Sequence, residues 1–432
     1  MKQAKSFTIT KHLVSQAWLK VKANQGAAGV DQQEIASFEA DLQNNLYRLW
    51  NRMCSGSYFP KPVRLVEIPK ANGPGKRPLG IPTVTDRIAQ MVGVLTLEPV
   101  LEPIFHADSY GYRPNKSAHD ALDQARKRCW QKDWVLDLDI KGFFDNIDHE
   151  LLLKALGKHT ECQWLLLYIK RWLTVPYQNG KGEVLERDKG VPQGSVVGPL
   201  LANLFLHYAL DVWLQHSYAS IPFERYADDM ICHCSSLRQA EELKQAIQTR
   251  LAECKLELNE AKTRIIYCKR SGKKEAYPEI KFTFLGYTFQ PRLAKSEKTG
   301  YFVSFLPAIS NPAKKQISTE IRRWNLHLWS SKTLPEIARV INAKLQGWIN
   351  YYGKFHKTAL YPVLKRLNTR LSHWVIQKFK RYRNHKRRAW EWLGWFASKH
   401  PDLFAHWRFG VRPLKTVEIA FRRGRPTVLR TE

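Results

Sequence analysis

One stretch near the middle of the chain decides how it folds: Phe223-Glu224-Arg225-Tyr226-Ala227-Asp228-Asp229-Met230-Ile231-Cys232. Its pattern predicts two short apolar strands that meet at a tight turn carrying two adjacent carboxylates. Side chains alternate along a strand, so adjacent acids cannot both lie in one core face. At the tip of a hairpin, however, both can lie near one cation. The alternative for such a motif on its own is a solvated, aspartate-rich turn.

A second acidic strand lies upstream: Val135-Leu136-Asp137-Leu138-Asp139-Ile140-Lys141-Gly142-Phe143-Phe144-Asp145. Here too an apolar run ends in a carboxylate, that of Asp139, which nothing nearby in the sequence neutralises. Two strands that each deliver aspartate at their end build an oxygen-only site suited to a hard cation such as Mg²⁺. Two such ions can activate a 3′-hydroxyl and stabilise a leaving pyrophosphate, which is the two-metal route to phosphoryl transfer.

Together the two motifs resemble the palm of reverse transcriptases, and the chain as a whole resembles group II intron-encoded reverse transcriptases with maturase activity. The resemblance implies that Asp139, Asp228 and Asp229 hold two Mg²⁺ ions, for which Mn²⁺ substitutes. The main-chain carbonyl of Ile140 is implied as a further ligand. No side chain then needs to act as a nucleophile, because positioning and electrostatics carry the rate.

The charge balance points to a polyanionic partner. The 432 residues include 69 Lys and Arg against 39 Asp and Glu, a formal net charge of +30. The excess is uneven, since residues 301–432 contain 27 basic and 6 acidic residues together with eight of the 15 Trp. Nucleic acid is the usual partner of so basic a protein.

The seven cysteines are an odd number without a C-x-x-C pair, which favours a reducing compartment over a disulfide scaffold. Cys232 and Cys234 flank His233, but without a partner cluster they are interpreted as strand residues rather than metal ligands. The sequence shows neither a signal peptide nor an apolar run long enough to span a bilayer. We therefore expect a cytoplasmic protein with no membrane partner.

Further blocks of the resembled family follow in order from about residue 25 to residue 290. Two strands joined by a basic Gly/Pro loop predict a β-hairpin in residues 58–90. The resemblance assigns Lys70 and Arg87 to the grip on the incoming nucleotide. For Lys76, nucleotide contact and a solvated hairpin face are equally favoured. Arg113, in a Gly-Tyr-Arg-Pro loop, is implied to lie along the template.

Three more positions are implied to contact the nucleotide. Phe144 matches the aromatic residue under the deoxyribose, although its neighbour Phe143 is an alternative sugar gate. Gln193 belongs to a Pro-Gln-Gly-Ser loop that packs on the nascent base pair in this family. Lys262, in a Leu-x-x-x-Lys-Thr block, would place its charge on the triphosphate.

Beyond residue 307 the apolar positions recur at helical spacing, over 317–328, 334–350, 361–382 and 388–399. The Gly-Trp-Ile-Asn-Tyr-Tyr block at residues 347–352 resembles the maturase (X) domain that acts as the thumb. Like charges crowded into one helix turn repel unless a phosphate backbone lies alongside. We therefore predict RNA contacts at Lys378, Lys380, Arg381 and Arg383.

The predicted fold is α+β, a right-hand polymerase with fingers, an antiparallel palm sheet and an all-helical thumb. The predicted segments are a helical extension (1–50), fingers and palm (51–300), a maturase thumb (301–395) and a basic nucleic-acid-binding segment (396–432). The expected partners are RNA template, intron RNA, DNA primer or target, and dNTPs; the oligomeric state is left open. A splicing cofactor that mainly binds RNA, and an enzyme domesticated for DNA repair or phage defence, are the alternatives. We also expect no C-terminal DNA endonuclease, because no cysteine follows Cys268.

Overall fold

A computed structural model describes residues 6–69, 75–272, 275–296 and 300–413. The chain divides into two compact units, Met1–Tyr267 and Cys268–Glu432. The boundaries predicted after residues 50, 300 and 395 each fall within a helix or a strand. The four predicted segments therefore differ from the physical units, and their functional division stays a prediction.

The first unit begins with a helical region and continues as helices around two sheets. Its α-helices among the described residues are α1 (Lys11–Asn24), α2 (Ile35–Ala40), α3 (Leu42–Cys54), α4 (Val84–Leu101), α5 (Ala118–Gln131), α6 (Phe143–Asn146), α7 (His149–Gly157), α8 (Gln163–Thr174), α9 (Gly198–Leu206), α10 (Val212–Ser217) and α11 (Leu237–Glu253). A π-helical turn, His207–Asp211, joins α9 to α10, and a 3₁₀ turn, Glu102–Ile104, follows α4. Its strands are β1 (Val63–Pro69), β2 (Lys76–Ile81), β3 (Trp134–Leu138), β4 (Tyr177–Gln178), β5 (Val184–Leu185), β6 (Phe223–Tyr226), β7 (Asp229–Cys234) and β8 (Arg264–Tyr267).

The palm sheet has the strand order β6-β7-β3-β8 and is antiparallel throughout. The predicted hairpin is confirmed, because β6 and β7 pair from Phe223 with Cys232 to Tyr226 with Asp229. Strand β3 is central, and its apolar residues are buried on both faces of the sheet. Since β3 ends at Leu138, Asp139 follows the strand directly and lies beside the tip of the hairpin.

The fingers sheet has the order β2-β1-β4-β5, and the hairpin predicted for residues 58–90 is its β1–β2 pair. Helix α4 follows β2 after a Thr83 side-chain cap and is buried along most of its length.

The second unit combines a three-stranded antiparallel sheet with a helical core. Its strands are β9 (Phe282–Phe284), β10 (Tyr287–Ser296) and β11 (Gly300–Ile309). Its described α-helices are α12 (Asn311–Arg323), α13 (Leu334–Tyr352), α14 (Tyr361–Lys378), α15 (Lys386–Lys399) and α16 (Ala405–Arg408). One apolar cluster, from Ile309 to Val411, joins these helices.

Two helix predictions need correction at their ends. The helix predicted for residues 317–328 lies at 311–323, because Ser310 caps its start and Asn325 adopts a left-handed conformation after it. The helix predicted for residues 361–382 ends at Lys378, and Phe379 has an extended backbone before a 3₁₀ turn at residues 380–382. No helix within the described ranges is both long and apolar enough to cross a membrane.

Candidate active site

The ends of the palm strands open into a cavity of about 870 Å³ in the first unit. Its walls also include the β2 strand of the fingers and the loop before α9. Six of the residues predicted from the sequence line it: Asp139, Ile140, Phe144, Gln193, Asp228 and Lys262. The cavity therefore gathers six predicted residues that span up to 123 positions of the chain.

Asp139 is held by the loop that follows α11. Its carboxylate accepts a hydrogen bond from Asn259 Nδ2 at 2.8 Å and pairs with Lys262 Nζ at 3.1 Å. The backbone amide of Asn259 donates to the carbonyl of Asp139 at 2.8 Å, which anchors the loop to the strand end. The ammonium of Lys262 therefore contacts an acid of the cavity wall, while 66% of the Lys262 side chain is exposed to solvent.

Negative charge accumulates where the strands end. Burial raises the pKa of Asp228, and the neighbouring charge of Asp139 raises it further. Burial and the charge of Asp229 also raise the pKa of Asp137 to about 8. Asp137 had no predicted role; it lies in β3, two residues before Asp139.

The residues present fit a divalent cation in their chemistry. No three acidic, histidine or cysteine side chains of the described ranges are close enough together to hold a metal ion. Asp139 and Asp228, however, offer only oxygen atoms at one cavity wall, which suits a hard cation. Burial is the main cause of the raised pKa of Asp228, and the charge of Asp139 adds to it. Asp139 and Asp228 are thus the residues that would hold such an ion, and the roles of Asp229 and Ile140 stay predictions.

A buried charge network supports the hairpin turn. Arg225 is fully buried and pairs through its guanidinium with both carboxylate oxygens of Asp211, at 2.7 Å from Nε to Oδ1. It also donates to Asn203 Oδ1 at 3.0 Å and to the carbonyl of Ala227 at 3.1 Å. Ala227 has a left-handed backbone, with φ of 57°. The network therefore holds an unusual turn conformation directly beside Asp228.

Sequence reasoning missed this network. Asp211 lies 14 residues before its partner, in the π-helical turn after α9, and no motif connects the two. Single π turns inside helices are frequent at functional sites, but they cannot be read from periodicity. The one available signal was the pair of charged residues, Glu224 and Arg225, in the middle of strand β6.

Comparison with known proteins identifies the family of this chain. Residues 68–289, just over half of the chain, match the family model described as "Reverse transcriptase (RNA-dependent DNA polymerase)". The chain belongs to the reverse transcriptase family. Residues 314–390 match a second model, described as "Group II intron, maturase-specific domain". The predicted family is thereby confirmed in both units.

Curated relatives include group II intron proteins. Protein YkfC of Escherichia coli strain K12 is 36% identical over 199 residues, covering 44% of this chain and 51% of that protein. Group II intron-encoded protein LtrA of Lactococcus lactis subsp. cremoris is 33% identical over 193 residues, covering 44% of this chain and 32% of that protein. The chain thus spans about half the length of YkfC and about a third of that of LtrA.

The two candidate sugar-gate residues have different surroundings. Phe143 is only 2% exposed and packs against Phe205 in the core. Both rings line the cavity, but Phe144 is only half-buried and meets Phe143 edge to face at 5.4 Å. This geometry supports Phe144 as the ring available to a nucleotide.

Two arginines with predicted nucleic-acid contacts make hydrogen bonds within the protein. Arg87 is 8% exposed and donates to the carbonyls of Gln25 and Ala27 at 3.2 and 2.8 Å. Arg113 pairs with the carboxylate of Glu102 at 2.7 Å and donates to nearby main-chain carbonyls. Neither arginine lines the cavity. Both guanidiniums donate within the protein, although Arg87 Nε has no hydrogen-bond partner among the described residues. Their nucleotide and template contacts stay predictions.

Two lysines of the fingers were also named in the sequence analysis. Lys70 lies outside the described residues. Lys76 lines the cavity and pairs with Glu67 at 2.8 Å in an exposed contact. Both interpretations of Lys76 stay open.

The predicted RNA contacts of the second unit are also of two kinds. Lys378 Nζ donates to the carbonyls of Ser330 and Lys332, both at 2.9 Å, and so fixes a loop. Lys380, Arg381 and Arg383 are exposed. They lie in and directly after a 3₁₀ turn rather than in one continuous helix. The RNA contacts of all four residues stay predictions, and Lys378 differs from the other three in its bonds to the loop.

Proposed function

We propose that this chain is an RNA-directed DNA polymerase that extends the 3′-end of a primer with dNTPs. The observation that carries the proposal is the cavity in which two strand-end carboxylates, a lysine, a half-buried phenylalanine and a glutamine meet. Carboxylates that can hold metal ions and a cation that can neutralise phosphate charge are what phosphoryl transfer requires at such a site. Membership of the reverse transcriptase family supports the same reaction.

In the proposed reaction the primer 3′-oxygen attacks the α-phosphorus of the dNTP. A new phosphorus–oxygen bond forms, the bond to the pyrophosphate breaks, and the hydroxyl proton passes to solvent. Bound at Asp139 and Asp228, divalent cations such as Mg²⁺ or Mn²⁺ would activate the attacking oxygen and neutralise the leaving group. Lys262 adds a positive charge for the triphosphate, Phe144 lies under the sugar and Gln193 faces the nucleotide.

Primer extension tests this activity directly. The full chain with Mg²⁺, an oligo(dT) primer on poly(rA) and dTTP should give extended DNA. The Asp228→Ala/Asp229→Ala double variant should give none while its circular dichroism spectrum stays unchanged. Equal extension by the wild-type chain and the folded double variant would exclude this site as the polymerase centre.

Replacing Phe144 by valine should open the space beneath C2′ of the sugar. Discrimination against rNTPs should then weaken by roughly tenfold to a hundredfold, while dNTP use is largely retained. Single-nucleotide incorporation with dCTP and CTP measures the ratio. The matched variant Phe143→Val should instead lower stability, because it leaves a gap in the core. If only Phe143→Val relaxes the discrimination, the gate is misplaced by one residue.

We further propose that the second unit binds intron RNA and supports splicing. The observation that favours this role is the match to the maturase-specific domain, which contains the exposed cations of the 3₁₀ turn. Binding of this kind persists without polymerase chemistry. The Asp228→Ala/Asp229→Ala variant should therefore keep its RNA affinity, which separates a splicing cofactor from a polymerase.

The salt dependence of RNA binding tests the surface formed by Lys380, Arg381 and Arg383. Changing all three to alanine should reduce the slope of log K against log [salt] by roughly two to three, about 0.7 to 0.9 for each lost phosphate contact. Filter binding of a group II intron RNA over a range of KCl concentrations gives the slope. A control triple of exposed cations in the first unit, Lys127, Lys170 and Arg238 to alanine, should leave it unchanged. Equal slopes for both triples would remove the RNA role of the 3₁₀ turn.

A role in DNA repair or phage defence uses the same chemistry and the same residues. The flanking genomic sequence distinguishes it, because a mobile intron requires a group II ribozyme around the reading frame.

A further inference from the structure

A carboxylate of the cavity wall contacts the predicted nucleotide-facing glutamine. Gln193 Nε2 donates to both oxygens of Asp145, at 3.3 and 3.2 Å. Both residues line the cavity, and Asp145 directly follows Phe144 in the chain. Neither the sequence motifs nor the proposed reaction gives Asp145 a role.

The backbones that carry the two side chains are fixed against each other. The amide of Val191 donates to the carbonyl of Phe144 at 2.7 Å. Gly190 has φ of +78°, and a Cβ there would lie 2.7 Å from the Asp145 carbonyl oxygen. The loop before α9 therefore packs directly on the short helix that carries Asp145.

The other side of the same loop is fixed by strand β2. The amide of Gly80 donates to the carbonyl of Gln193 at 2.7 Å. Gly194 has φ of +111°, and a Cβ there would lie only 2.2 Å from the Gly80 carbonyl oxygen. The backbone of Gln193 is thus fixed in place by its contacts with strand β2.

The chemistry of the contact sets the orientation of the amide. An ionised carboxylate can only accept hydrogen bonds, so the NH₂ group of Gln193 must face Asp145. The carbonyl oxygen Oε1 is then the group left to accept a bond from elsewhere. Without Asp145 the terminal amide could rotate between two nearly equivalent orientations, because torsions of this type are broad.

We propose that Asp145 is a positioning residue that orients the Gln193 amide, so that Oε1 accepts a hydrogen bond from the incoming nucleotide. This inference rests on the proposed polymerase function. An exposed contact of this kind contributes little to folding stability. Its loss should therefore appear in the KM for dNTP rather than in kcat or in the thermal unfolding temperature.

Reciprocal exchange of the two side-chain types tests the contact. In Gln193→Glu a second carboxylate faces Asp145 and cannot donate to it, so the KM for dTTP should rise about tenfold, a typical coupling between contacting residues. In Asp145→Asn the new amide still offers an accepting oxygen, so KM should rise only about twofold to threefold. In the Asp145→Asn/Gln193→Glu double variant the introduced amide can donate to the introduced carboxylate, so KM should return to within about threefold of the wild-type value.

The control is Asp188→Asn, which removes an exposed carboxylate that does not line the cavity and should leave KM unchanged. The inference would be overturned if the double variant had the same KM for dTTP as Gln193→Glu alone. It would also be overturned if Gln193→Glu changed kcat by as large a factor as KM and also lowered the unfolding temperature. An inactive wild-type chain would instead contradict the proposed function. The two failures are therefore distinguishable.

Discussion

Replacement of Asp139 by asparagine is expected to lower the rate of nucleotide incorporation by roughly a hundredfold to a thousandfold. The variant keeps the size of the side chain but removes one negative charge from the wall shared with Asp228. A neutral amide is also a poorer ligand for a divalent cation than a carboxylate. In addition, Lys262 would lose its charged partner at 3.1 Å. Single-nucleotide extension at saturating dNTP and Mg²⁺ measures the rate.

The matched control is Glu150→Gln, the same carboxylate-to-amide change at a side chain that is 91% exposed. Its rate should equal that of the wild-type chain. Near-wild-type extension by Asp139→Asn would show that this carboxylate is not part of the reaction centre. Recovery of the Asp139→Asn rate at high Mn²⁺ concentration would support weakened metal binding as the cause, since Mn²⁺ binds N and O ligands more tightly than Mg²⁺.

The parts of the fold that the sequence predicts well are those set by local pattern. The apolar residues around Asp228 and before Asp139 predict strands that end at these acids. The predicted strands form, as β6 and β7 around Asp228 and as β3 before Asp139. The Gly-rich segment before α9 likewise forms the predicted loop, because positive φ at Gly190 and Gly194 needs glycine. Such features depend on neighbouring residues only, so one sequence suffices to find them.

What the sequence does not determine is where long cationic side chains direct their donors. Arg87 and Arg113 lie at positions that match the family. In the fold, however, Arg87 donates to the carbonyl of Ala27, and Arg113 pairs with the carboxylate of Glu102. Lys378 likewise fixes a loop 46 residues away. A guanidinium has five donors, and which acceptors it meets depends on tertiary packing. The contact between Asp145 and Gln193 depends in the same way on two loops that meet only in the folded chain.

The largest effect on stability is expected at Arg225. Replacement by methionine retains much of the side-chain volume but leaves the buried carboxylate of Asp211 without its partner. Breaking one side of a buried ion pair typically costs about 3 to 5 kcal/mol. Because Arg225 also donates to Asn203 and Ala227, the turn that carries Asp228 would lose its support as well. Urea denaturation of the full chain should therefore show an unfolding transition at lower urea concentration.

A conservative change separates the charge from the geometry of this network. Arg225→Lys keeps the positive charge but not the planar fork that reaches Asp211, Asn203 and Ala227 together. It should lose less stability than Arg225→Met, and at temperatures where it is fully folded its extension rate should still fall below that of the wild-type chain. The control is Arg238→Met, which breaks an exposed pair with Glu242 and should leave both the urea midpoint and the extension rate unchanged. If Arg225→Met unfolds at the same urea concentration as Arg238→Met, the buried network does not support the turn that carries Asp228.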